Sequence, residues 1–141
     1  MPDATQITLT DAVTTQLIAA AREAQASAYV PYSNFPVGAA VLLSDGSIYR
    51  GCNVENASFG LTVCAERIAL FSAITAGHMD IIAIAVVTSA AKLAKPCGAC
   101  RQVIAEFSRA DNPIVIISTT QSGLTATETI TDLLPDNFTL L

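Results

Sequence analysis

The stretch Cys64-Ala65-Glu66-Arg67-Ile68-Ala69-Leu70-Phe71-Ser72-Ala73-Ile74-Thr75-Ala76-Gly77, continued by Ile81-Ile82-Ala83-Ile84-Ala85-Val86-Val87-Thr88, decides the fold. In its first half Ile68, Leu70, Phe71 and Ile74 recur at helical spacing, and Gly77 supplies a stop. Its second half is an unbroken apolar run of strand length, the pattern of a strand covered on both faces. The same order recurs downstream. Val103, Ile104 and Phe107 form a helical stripe after Cys97, and Ile114 to Ser118 reads as the next strand.

Upstream of Cys64 the pattern extends to a helix over 11–28, with Val13, Leu17, Ala20, Ala21 and Ala24 inward, broken by Tyr29 to Pro36. Val37 to Leu43 and Ser47 to Gly51, joined through Asp45-Gly46, read as a hairpin. Thr125 to Thr129 adds a short fifth strand. Strands alternating with helices predict an α/β fold, three layers α/β/α around a mixed, roughly five-stranded sheet. A single domain is expected over 1–141, with 1–8 as a flexible polar arm. No repeat, linker or low-complexity tract interrupts it.

Both helices of the decisive region open on cysteine, Cys64 before the first and Pro96-Cys97-Gly98-Ala99-Cys100 before the second. Free amides and the positive end of the helix dipole favour thiolate at such positions. A CxxC pair alone is compatible with a redox dithiol, a zinc knuckle or two buried thiols. The third thiol at Cys64 and the carboxylate of Glu66 favour a metal. Closed structural zinc sites take four protein ligands, whereas hydrolytic sites take three and leave a position for water. A fourth ligand has few sources: Cys52 lies in an alternating segment as a buried strand thiol, and His78, the lone histidine, follows Gly77 as a capping or solvated imidazole. Cys64, Cys97 and Cys100 are therefore the expected ligands of one zinc per chain.

Glu66, one residue from a ligand, can move protons between water and a leaving group, although a glutamate in the first helical turn also suits the dipole. Three thiolates around a divalent ion leave a net negative centre, and Arg67, one turn from Cys64, would offset that charge. Arg101 remains open between support of the site and an ordinary helix charge.

Composition narrows the function. The 141 residues carry a formal charge of −5, which argues against a phosphate-tracking surface for nucleic acid. The longest apolar run, near Ile81 to Val87, is too short for a bilayer, and the opening Met-Pro-Asp lacks the basic flank and apolar core of a signal peptide. Cysteines spaced for metal suit a reducing, cytoplasmic compartment. An apolar content of 52% leaves surplus for contacts between subunits.

Cys64-Ala65-Glu66-Arg67 with Pro96-Cys97-Gly98-Ala99-Cys100-Arg101-Gln102 resembles the cytidine deaminases of nucleoside salvage, in the small homotetrameric branch with three cysteines; this is the zinc-deaminase chemistry already described for a non-ligand glutamate and a PCxxC element. The likeness also covers Tyr32-Ser33-Asn34-Phe35-Pro36-Val37-Gly38-Ala39-Ala40, Gly51-Cys52-Asn53-Val54-Glu55-Asn56-Ala57, and Leu133-Leu134-Pro135 with Phe138, so it runs from about Leu17 to Phe138. It implies hydrolysis of cytidine and deoxycytidine to uridine and deoxyuridine with loss of ammonia, Glu66 carrying the protons. It further implies that Asn53 and Glu55 bind the ribose 3′-hydroxyl, that Phe35 packs against the pyrimidine, that Ala65 also binds substrate, and that Phe138 reaches a neighbouring subunit's site. One departure stands out. The family usually has a tyrosine where this chain has Phe59, and its hydroxyl is associated with the sugar end of a neighbour's pocket.

Two alternatives accompany this reading. A deaminase of the blasticidin S type is chemically close, but Asn53-Val54-Glu55-Asn56 favours the ordinary nucleoside. A non-catalytic zinc-stabilised binding module would leave Glu66 without a task.

Overall fold

The computed structural model describes residues 6–141. Its elements run α1 (Asp11–Gln25), β1 (Val37–Leu43), β2 (Ile48–Cys52), a 3-10 turn (Phe59–Leu61), α2 (Ala65–Thr75), β3 (Ile81–Thr88), α3 (Gly98–Glu106), β4 (Val115–Thr120), β5 (Thr125–Thr129) and α4 (Ile130–Leu133). The sheet has the order β2-β1-β3-β4-β5. Only β3 and β4 are parallel; the other three pairings are antiparallel, so the sheet is mixed as expected.

Strand alternation sorts the core into two layers. On one face Ala40, Leu42, Ala83, Ala85, Val87 and Ile117 pack against Leu17, Ala20 and Ala21 of α1. On the other, Ala39, Val41, Leu43, Ile84, Val86 and Ile116 pack against Ala65, Ala69, Leu70 and Ala73 of α2 and Ile104 of α3. All eight residues of β3 are buried, which is why its run shows no alternation.

Element ends follow local chemistry. Gly77, at φ 91°, lets its own amide donate to Ile74 O and the next amide, His78 N–H, donate to Ala73 O, closing α2 in a Schellman arrangement. The His78 ring stands against Tyr49, away from the thiol cluster. Helix α1 stops at Gln25, earlier than the expected 28, because Ala26, Ser27 and Ala28 donate to carbonyls three residues back in a tightened turn. The expected arm over 1–8 lies mostly outside the described residues. Its end is not loose: Ile7 N–H donates to Ser44 O at 2.9 Å, and the Ile7 side chain packs on the α1 layer. Among the described residues, no helix is long and apolar enough to cross a membrane.

Helix α2 sits unusually close to β2. A Cβ placed on Gly51 would lie 2.3 Å from Ala69 N and 2.7 Å from Ala65 O, both backbone atoms that cannot swing aside. Gly51→Ala is therefore expected to push α2 off the sheet and to cost about 3 kcal/mol or more. Denaturant midpoints of the two proteins check this, and equal midpoints would show that the contact yields.

Candidate active site

Cys64 and Cys97 occupy the N-cap positions of α2 and α3, and neither side chain caps its own helix. Both sulfurs are thereby free to point between the two helix starts. Cys100 is buried in the first turn of α3. The three sulfurs all lie within 4.8 Å of one another, and Cys64 Sγ to Cys97 Sγ is 3.8 Å. Sulfurs on a tetrahedral zinc, at about 2.3 Å from the ion, stand roughly 3.8 Å apart. The Cys64–Cys97 pair already has that spacing, and all three sulfurs are near enough to share one ion.

The electrostatics point the same way. Hydrogen bonding from Cys100, with help from Arg67 and Cys97, holds the Cys64 thiol down to about 5. Cys100 is pushed up, first by its bond to the Cys64 sulfur and then by burial and the Glu66 carboxylate. One sulfur is thus ready as thiolate while another keeps its proton until a cation displaces it. Arg67 Nη2 donates to Cys64 Sγ at 3.4 Å. Its Nε is buried without a hydrogen-bond partner among the described residues, a cation stationed behind the sulfurs.

Glu66 is only 5% exposed, and its Oε2 accepts from Cys100 Sγ at 3.8 Å. Burial pushes its carboxyl above the ordinary range, so it can hold a proton nearer neutral pH. Ala65 is the first residue of α2, and N–H groups at that position have no partner within the helix.

A hollow of 440 Å³ opens beside the cluster, at the C-terminal end of β3. Its wall includes Phe35, Asn53, Glu55, Cys64, Ala65, Glu66 and Cys97. Ser33, Val37, Val86, Thr88, Ala94 and Lys95 complete it. None of these last six was singled out as a site residue in the sequence, although Ser33 and Val37 lie in the Tyr32–Ala40 segment and Val86 and Thr88 in the apolar strand. Lys95 is paired with Glu128 of β5 at 2.5 Å. A separate hollow of 380 Å³ near Met79, Asp80 and Arg109 contains none of the three clustered thiols.

Asn53 and Glu55 have structural work that their spacing did not reveal. Asn53 Oδ1 accepts from Val37 N–H at 2.9 Å and Nδ2 donates to Phe35 O at 2.9 Å. Glu55 Oε1 accepts from Tyr32 and Ser33 N–H at 3.0 and 3.1 Å. Together they brace the loop that presents Phe35, which is 37% exposed. Each retains capacity: a second amide hydrogen on Asn53 and Oε2 on Glu55.

Phe138, expected at a neighbour's site, and Phe59, the departure from the family's tyrosine, both stand outside the hollow of their own chain. Phe138 is 69% exposed, and only its carbonyl is held, by Gln102 Nε2 at 3.1 Å. Phe59 is 74% exposed and meets Tyr32 edge-on at 5.8 Å between ring centroids. Arg101 donates to backbone carbonyls rather than to sulfur.

Fold and site together define a zinc-type α/β domain, three cysteine thiols at paired helix starts with a buried carboxyl beside them. The chain belongs to the deaminase family described as "Cytidine and deoxycytidylate deaminase zinc-binding region", which residues 12–117 match. It is 52% identical over 123 residues to the cytidine deaminase of Halalkalibacterium halodurans, covering 87% of this chain and 92% of that one. It is 41% identical over 124 residues to the cytidine deaminase of Mycobacterium tuberculosis, covering 85% of each. The crystal structure of cytidine deaminase from Burkholderia pseudomallei superposes with a TM-score of 0.83 at 48% identity, covering 88% of this chain and 98% of that chain.

Proposed function

We propose that this chain is a cytidine deaminase of pyrimidine salvage, converting cytidine and deoxycytidine to uridine and deoxyuridine with release of ammonia. The observation that carries this reading is the buried Glu66 carboxyl beside three thiols at zinc spacing, within a hollow that also presents Phe35. High identity to cytidine deaminases over most of the chain supports the choice of substrate.

Cys64, Cys97 and Cys100 hold one zinc per chain, which supplies the Lewis acidity that lets water act as a nucleophile near neutral pH. Phe35 lies against the pyrimidine face, and the Ala65 N–H at the start of α2 donates to the base. Asn53 and Glu55 use their remaining donor and acceptor on the ribose 3′-hydroxyl. Glu66 takes the proton of the attacking water and gives it to N3 as the new C4–O bond forms. It then takes the proton of the new C4 hydroxyl and delivers it to the exocyclic nitrogen, the C4–N bond breaks, ammonia departs and the C4 carbonyl remains. Arg67 offsets the charge of three thiolates.

The working form is a cytoplasmic homotetramer in which Phe138 of each chain closes a neighbour's pocket. Support comes from the exposed Phe138, Leu140 and Leu141, together with exposed Phe71 and Phe59, apolar side chains that assembly would cover. No nucleic acid or membrane partner is part of the reading. The test is uridine and ammonia production from cytidine by the purified protein, with light scattering to weigh the assembly. Absence of turnover in a zinc-loaded protein would refute the activity. Phe138→Ala is expected to raise KM for cytidine while keeping zinc. Mixed and reassembled with Glu66→Gln chains, it should regain part of its activity, because some pockets then combine an intact Glu66 with a neighbour's Phe138. No recovery despite proven subunit exchange would remove Phe138 from the neighbour's site.

A further inference from the structure

The turn that delivers Cys97 is tied to β5 by the Lys95–Glu128 ion pair and has few other anchors. Among the described residues, the backbone of 89–96 makes no backbone–backbone hydrogen bond. Ala90 N–H donates to Thr88 Oγ1 at 3.3 Å, and Pro96 O accepts from Arg101 Nε at 2.7 Å. Arg101 N–H also donates to Cys97 O at 2.9 Å. That last bond is the backbone i→i−4 bond that opens α3, so the hold of the Arg101 side chain on the turn is at Pro96 O.

The same guanidinium reaches further. Its Nη1 donates to Leu133 O at 2.8 Å. Leu133 is the last residue of α4, where helix carbonyls lack intrahelical partners. Helix α4 is a firm post: Thr129 and Asp132 close a capping box, Ile130 is buried, and Ile130 N–H donates to Ile114 O at 2.9 Å. Arg101 forms no ion pair among the described residues, so its fork serves these carbonyls alone. A planar fork sets two nitrogens at a fixed separation on the two carbonyls, whereas a lysine must direct all its donors from one nitrogen on a flexible stem.

We propose that Arg101 is a positioning residue of the metal site, clasping the Cys97 turn to α4 so that a metal ligand is held in place. Its neighbour Gln102 grips Phe138 O separately, so the two residues have distinct tasks. The clasp rests on the zinc reading for its effect on metal, and it also has a metal-independent consequence: Leu134 N–H, bonded to Ile130 O at 2.9 Å, is protected by the same clasped turn.

The experiment compares the assembled parent protein with Arg101→Met, Arg101→Lys and Gln102→Ala. Zinc release to a chelator should be roughly 10- to 100-fold faster in Arg101→Met, the usual cost of losing a partner that orients a ligand, and intermediate in Arg101→Lys. Gln102→Ala should release zinc within about twofold of the parent. In zinc-free protein, amide exchange at Leu134 should rise about tenfold in Arg101→Met while β3 stays protected. Zinc release by Arg101→Met at the parent rate overturns the proposal, as does faster release accompanied by equal loosening of β3. If Arg101→Met does not fold, Arg101→Lys decides by the same two readings. A parent that binds no zinc refutes the metal reading, and exchange at Leu134 then decides the clasp: unchanged exchange overturns it.

Discussion

Glu66→Gln is expected to keep its zinc and its affinity for cytidine while turnover falls by roughly 10²- to 10⁴-fold, the range for loss of a positioned acid and base. The substitution preserves shape in a pocket that tolerates little else, because Glu66 is buried against Cys100. An amide oxygen still accepts from the thiol side, so the local packing survives. What disappears is the ability to take a proton and return it. Burial also dictates a pH signature: the raised Glu66 carboxyl loses its base form as pH falls through its own value, above the usual carboxylate range. Parent activity should therefore decline on the acid side earlier than for an ordinary glutamate, and the residual rate of Glu66→Gln should lack that limb. Turnover near the parent's would remove Glu66 from the chemistry. Zinc loss in this variant would instead make its carboxylate part of the metal's support.

The same residue shows what a sequence can and cannot disclose. Glu66 and the cysteines are legible because their chemistry depends on close spacing within two helix starts, and spacing is visible in a chain. Strand β3 is legible because an eight-residue apolar run has few other structural uses. Helix α4 and the turn at Phe59–Leu61 are not, since a single turn is too short to develop a period. The bracing by Asn53 and Glu55 was equally hidden. Their partners lie at Tyr32 to Val37, across the start of β1, and only the β1–β2 register brings the two segments together. Long-range pairs of polar side chain and backbone leave no periodic trace. Ile7 makes the related point for a terminus: a polar stretch with one isoleucine reads as an arm until Ser44 offers it a carbonyl.

Loss of a single cysteine ligand should empty the metal site, with a loss of affinity far beyond that caused by any supporting residue. In Cys97→Ala the remaining sulfurs of Cys64 and Cys100 provide two ligands where a catalytic zinc takes three. Cys64→Ala carries an added penalty, because Arg67 Nη2 loses the sulfur it donates to while its Nε is already buried without a partner. Cys100→Ala opens a void in the buried first turn of α3, and should lower thermal stability as well as zinc content. Cys52→Ala is the internal control: its thiol lies outside the cluster, beside Glu23, Ala24 and Ser27 of the α1 side, and burial holds it protonated. Metal analysis after gel filtration should find zinc in the parent and in Cys52→Ala, and none in the other three. Because binding expels the thiol protons, uptake of zinc by the stripped parent should acidify a weakly buffered solution, and each ligand variant should abolish that release. Stoichiometric zinc in Cys97→Ala would transfer the third position to another donor. With His78 directed at Tyr49 and Cys52 on the far side of β2, Glu66 would be the nearest remaining candidate, and its carboxylate would then be committed to holding metal rather than moving protons.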